Sequence, residues 1–137
     1  MLDNNVIVAS FEKAAEVHGD ITEQVYGDFL KNHPDANPFF LIRGEQYEAN
    51  LKERMVQDAI YSLLEYLDDP EEIDIMFKYV VPQHQDLGIP THYFGALLES
   101  IAEVVCSAVT RDEQPAAKKN WQLLVEKFEA IVEKNKQ

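Results

Sequence analysis

The sequence has few of the residues that staple or punctuate small folds. It holds one cysteine, so no disulfide can form within the chain. Cys106 lies in "IAEVVCSAV", an apolar context that makes it a buried helix thiol more readily than a nucleophile. Its five glycines are isolated, and no phosphate loop, flavin or nicotinamide fingerprint is present. Bases are scarce, 12 against 25 acids, for a formal charge of −13. Such a surface repels phosphate backbones and anionic lipids, so neither nucleic acid nor a membrane surface is an expected partner. No apolar run approaches the ~18 residues needed to cross a bilayer. The opening "MLDNNVIVASFEKAAE" lacks the basic leader and apolar core of a signal peptide, so the cytoplasm is the expected location.

Other chemistries are absent too. No Cys/His cluster has zinc spacing, and His84 and His92 stand eight apart across a proline corner. "DDPEEID" is rich in carboxylates but lacks the alternating ligands and central glycine of a calcium loop. It suits the start of a helix, where acids meet the positive end of the dipole. No serine sits in a nucleophile-elbow context. No stretch shows sustained strand alternation.

What is present is helical periodicity along one domain, residues 1–137, with a hydrophobic fraction of 46% that suits a globular core. Ile7, Phe11, Ala14, Ala15 and His18 share a face, and "GDI" breaks the pattern. Asp20 and Glu23 have capping-box spacing and predict a helix with Ile21, Val25 and Phe29 inward. Two prolines in "NHPDANPFF" end it. From Glu45 to Leu67 the stripe Leu51, Met55, Ala59, Leu63, Leu67 repeats every four residues. "DDPEE" separates this helix from one carrying Ile73, Met76, Phe77 and Val80 inward, with Pro70 in its first turn. Gly88 and Pro90 make a corner before a helix with Phe94, Leu97, Leu98, Ile101, Val104, Val105 and Ala108 on one face. "RDEQP" precedes a last helix bearing Trp121, Leu124, Val125, Phe128, Ile131 and Val132. The expected fold class is all-α, with about seven helices.

His84 follows Phe77 and Val80 at helical spacing and points inward. Pro82 removes a backbone donor two residues before it, which predicts a helix break near Val81 and a short restarted turn under the histidine. An inward imidazole needs a partner for at least one ring nitrogen, and spacing alone leaves a metal ligand and a satisfied core histidine both open.

The segment "HQDLGIPTHYF", leading into a long apolar helix, resembles the globin junction between the F and G helices. "VYGDFLKNHPDANPFF" is similar to globin B and C helices, and "NWQLLVEKF" to an H helix. The resemblance covers nearly the whole chain in helix order, and comes nearest to bacterial single-domain and sensor-type globins. It implies a globin-like helical sandwich and haem b held by His84, with the other axial position open to a diatomic gas. It further implies a distal tyrosine at Tyr26, a proline opening the C helix at Pro34, and a haem-stacking Phe40, or Phe39 one step off. Haem iron accepts a neutral imidazole, and a flat apolar macrocycle needs a slot of large hydrophobes. Candidates for the wall are Phe40, Val80, Ile89, Phe94 and Leu98, each of which also suits ordinary core. Leu51 or Met55 would face the ligand, while Arg54 and Gln57 flank the stripe toward solvent. Tyr26 could instead be a core tyrosine. His18, His33 and His92 suit surface or corner positions, with His92 the alternative register for His84.

Two functions compete on this basis. One is a haem protein that binds oxygen or nitric oxide reversibly. The other is a haem-free globin-like module acting in sensing through protein–protein contacts. Peroxidase- or dioxygenase-like turnover would need an external reductase, because the chain has no room for a reductase domain.

Overall fold

The computed structural model describes residues 1–40 and 45–137, with side chains described outside 45–48. Six α-helices and one 3-10 helix make up the described fold: α1 (Asn4–His18), α2 (Thr22–Asn32), the 3-10 helix (Pro34–Phe40), α3 (Glu45–Asp68), α4 (Pro70–Asp86), α5 (His92–Ala108) and α6 (Gln114–Asn135). No strand occurs among the described residues.

The helix ends follow local chemistry. Asp3 accepts the Asn5 N–H at 3.0 Å and caps α1, which stops at Gly19 with φ 67°. Asp69 accepts the Glu72 N–H and caps α4, with Pro70 at its first position. At the start of α2 the expected Asp20–Glu23 box is replaced by a tighter arrangement. Asp20 sits one residue outside the cap and accepts both the Thr22 N–H and the Thr22 hydroxyl, at 2.9 and 2.7 Å. Those two bonds hold its carboxyl below the usual carboxylate range.

α5 is the central element, packed on α1, α2 and α6, while α3 pairs with α4 and α4 leans on α6. The core is densest among α1, α5 and α6, where Ile7, Ile101, Val105, Trp121, Leu124 and Phe128 are fully or almost fully buried. The Trp121 indole donates to the Ser10 hydroxyl at 2.9 Å, and that hydroxyl donates to the Ile7 carbonyl at 2.6 Å, so the polar atoms there are satisfied.

Two expected faces shift. On α3 the deeply buried residues are Val56, Ser62 and Leu63, while Leu51, Met55, Ala59 and Leu67 are half-buried. A strict four-residue stripe winds about 160° around a helix between positions 51 and 67, so it cannot face one core throughout. On α4 the buried line is Ile73, Phe77 and Val81, with Val80 half-buried beside it. The helix does not break near Val81: α4 runs unbroken to Asp86 with Pro82 inside it. Pro82 withholds an N–H from the carbonyl of Lys78, an exposed residue whose backbone can turn to water.

Candidate functional site

α2, the 3-10 helix and α3 face the α4–α5 corner across a cavity of about 400 Å³. Tyr26 and Phe29 come from α2, Ala36, Phe39 and Phe40 from the 3-10 helix, and Leu51 and Met55 from α3. His84 enters from the last turn of α4, Leu87 and Ile89 from the corner, and Tyr93, Phe94 and Leu97 from α5. Apart from His84 and two tyrosine hydroxyls, the lining side chains are hydrocarbon or thioether. Size and lining are those of a small-molecule or cofactor pocket.

Each polar group in this apolar space has a distinct situation. The His84 ring is held by its Nδ1, 2.8 Å from the Val80 carbonyl one turn back. A carbonyl only accepts, so Nδ1 donates to it, and in the neutral form of the ring the lone pair is at Nε2. The same ring meets Phe94 at a centroid distance of 4.8 Å. The carbonyl end of His84 is fixed as well. It accepts the Ile89 N–H at 3.0 Å while the Gln85 carbonyl accepts the Gly88 N–H at 2.9 Å, the paired bonds of a Schellman turn with Gly88 at φ 78°. Tyr93 is not free: its hydroxyl donates to Asp35 at 2.8 Å and pins the 3-10 helix to α5.

Tyr26 is the unusual residue. It is 3% exposed, and its hydroxyl has no hydrogen-bond partner among the described residues. Phe40 and Phe29 meet its ring edge-on at centroid distances of 5.1 and 6.0 Å. Burial pushes its phenol far above the ordinary value. A buried donor without an acceptor is rare in a folded chain, and here it borders a cavity.

A family model, Globin, matches residues 23–132, most of the chain. The chain belongs to the globin family. No curated protein and no solved structure gives a significant match. Globins generally bind haem and diatomic gases, and the pocket suits such a group on three counts. Its walls are apolar, the neutral form of the His84 ring offers a lone pair at Nε2, and among the described residues the Tyr26 hydroxyl has nothing to donate to. Among the described residues no group of three or more His, Cys, Asp and Glu side chains could hold a bare metal ion. A macrocycle brings its own equatorial nitrogens, so a single histidine suffices.

Of the residues singled out from sequence, Tyr26, Phe40, Leu51, Met55, His84, Ile89 and Phe94 all lie on this cavity. Val80 and Leu98 do not. Leu98 is buried in the core, and its neighbour Leu97 takes the wall; Val80 offers its carbonyl to His84. Phe39 and Phe40 both line the space, so the choice between them dissolves. Phe29, Ala36, Leu87 and Tyr93 were not singled out as pocket residues. Phe29 lies three residues from Tyr26 and could have been found by that spacing. Ala36 and Tyr93 depend on the tertiary Asp35–Tyr93 bond, which no local pattern encodes. His92 and His33 lie side by side outside the pocket, their rings tilted by 52° at a centroid distance of 6.1 Å. His18 lies half-buried at the end of α1, and its Nε2 finds no partner among the described residues.

Proposed function

We propose that this protein holds haem b through His84 and reversibly binds a diatomic gas, oxygen or nitric oxide, beside Tyr26. Haem, when bound, would supply an iron that His84 could hold and that could take up a diatomic gas. The observation that supports this reading is the pair of polar groups left in an otherwise apolar cavity, the His84 lone pair and the partnerless Tyr26 hydroxyl. The Val80 carbonyl accepts a hydrogen bond from the Nδ1–H, which fixes the tautomer, stiffens the ring and makes Nε2 the better donor to a metal. Phe94 limits the ring's swing. The hydrocarbon walls keep water from competing with either group. Tyr26 can donate to a bound gas that carries partial negative charge, a bond worth about 1–1.5 kcal/mol, or roughly tenfold in release.

Titration of the purified chain with hemin, followed by reduction under carbon monoxide, tests the reading. One porphyrin per chain and a carbon monoxide spectrum are expected. His84→Ala should lose the cofactor or regain it only with added imidazole, and His92→Ala should keep it. Tyr26→Phe should release oxygen about tenfold faster while carbon monoxide release changes less. An unsubstituted chain that takes up no hemin would instead support the haem-free module.

A further inference from the structure

We propose that the surface cleft between α2 and α3 is the entry route for the gas, with the Tyr26 ring as the movable partition between cleft and pocket. The inference deepens the function proposed above and rests on it. A second cavity of about 160 Å³ is lined by Thr22, Glu23, Tyr26, Gly27, Leu30 and Lys52. Tyr26 borders both this cleft and the apolar pocket. On α3, Leu51 lines the pocket and the next residue, Lys52, lines the cleft. One aromatic ring and a short piece of α3 therefore separate the two spaces. A pocket of about 400 Å³ filled by a macrocycle has little room left, so a gas reaching the Tyr26 side needs an opening on that side.

The partition is built to give way. Among the described residues the Tyr26 hydroxyl has no partner, so no hydrogen bond to them breaks when the ring swings. Phe29 and Phe40 touch the ring edge-on, contacts that a rotation loosens without severing. The Lys52 ammonium lies 5.8 Å from the ring centroid and so borders the ring on the cleft side. Gly27 leaves its part of the cleft bare: a β-carbon built there would meet nothing within 4 Å. Side-chain bulk at Gly27 thus enters the cleft space before it meets any neighbour.

A barrier on a path slows entry and exit by the same factor and leaves the equilibrium constant alone. A group touching the bound gas changes release in a different proportion from entry. Gly27→Phe narrows the cleft and Leu30→Ala widens it. Gln24→Phe, on an exposed position of the same helix, is the control. With haem bound, flash photolysis and displacement of carbon monoxide should show both rate constants lowered about tenfold in Gly27→Phe, equivalent to about 1.4 kcal/mol of barrier, with their ratio held. Leu30→Ala should raise both. A second readout needs no iron chemistry. With zinc protoporphyrin in the pocket, quenching of its triplet state by dissolved oxygen should fall by a similar factor in Gly27→Phe and stay unchanged in Gln24→Phe. Parental rates and quenching in a normally loaded Gly27→Phe would overturn the route while leaving haem binding intact, as would a changed ratio with unchanged entry. If Gly27→Phe does not fold, unchanged rates in Leu30→Ala overturn it. A chain that takes up neither porphyrin overturns the route and the function together.

Discussion

Tyr26 sets two demands against each other within one residue. A buried hydroxyl without an acceptor costs the fold roughly 1–3 kcal/mol, yet the same hydroxyl is the donor proposed here for a bound gas. Tyr26→Phe keeps the ring and removes the orphan. In haem-free protein it should raise the unfolding free energy by about 1 kcal/mol, measured by urea denaturation; a loss would mean the hydroxyl has a partner in solution. Alkaline pH adds a second test. The phenol's ordinary value is 10.0 and burial raises it in the folded chain. An ionisation resisted by the folded state and allowed in the unfolded one favours unfolding at high pH. The Tyr26 contribution is therefore complete below pH 10 and is lost as pH climbs from there toward the folded value. Parent and Tyr26→Phe should show melting temperatures that diverge above that point in favour of the variant. Parallel curves would sink the assignment. Cys106, pushed up to about 11 chiefly by burial, stays a protonated thiol at neutral pH, in keeping with its apolar context.

At the scale of elements, α4 shows what the pattern of residues could and could not say. The inward course of Phe77 and His84 was legible because helical spacing forces it. The continuity of the helix was not, because proline reports a lost donor and a ring clash but not whether neighbours or water absorb them. Side-chain bonds tie α4 to the end of α6, through Lys134 and Asn135 on Asp74 and through Gln137 on the Pro82 carbonyl, at distances of 2.8 to 3.4 Å. Those partners lie 55 to 61 residues away and leave no local trace. Proline in a helix interior costs about 3 kcal/mol against alanine. Pro82→Ala should accordingly raise unfolding free energy by roughly 1–3 kcal/mol in denaturant titrations. No gain would show that the last turn already relieves the proline. The α3 stripe was misjudged for a different reason: even spacing looked like one face, while the turn of the helix spread it between pocket and core.

Across the whole molecule, packing is uneven. Large side chains of the α1–α5–α6 core sit at or near zero exposure, while the apolar cavity lies to one side of that core, enclosed by α2, the 3-10 helix, α3, the end of α4 and the start of α5. Helix order and the pocket's aromatic residues were readable from sequence, but this inequality was not, since core and cavity helices have similar apolar spacing. Stability should follow it. In haem-free protein, amide hydrogens of α5 and α6 should exchange slowest, and those of the last turns of α4 much faster. Hemin should slow α4 selectively, because a ligand that binds only the folded pocket stabilises it by mass action. Uniform protection before and after hemin would argue against a pocket that depends on its cofactor.

The turn after α4 leaves a mark on how this chain can vary. His84 is gripped through its ring by the Val80 carbonyl and through its own carbonyl by the Ile89 N–H, and both grips are main-chain groups. Side chains at Gln83, Gln85 and Asp86 contribute nothing to either grip. Saturation mutagenesis scored by hemin retention should find those three positions permissive. Gly88 should stand out as intolerant, since any side chain at φ 78° strains the turn that sets the histidine. Drift in this segment is thus free in nearly every letter but one beyond the histidine itself, and a spelling as loose as "HQDLG" can hold a tightly fixed ring.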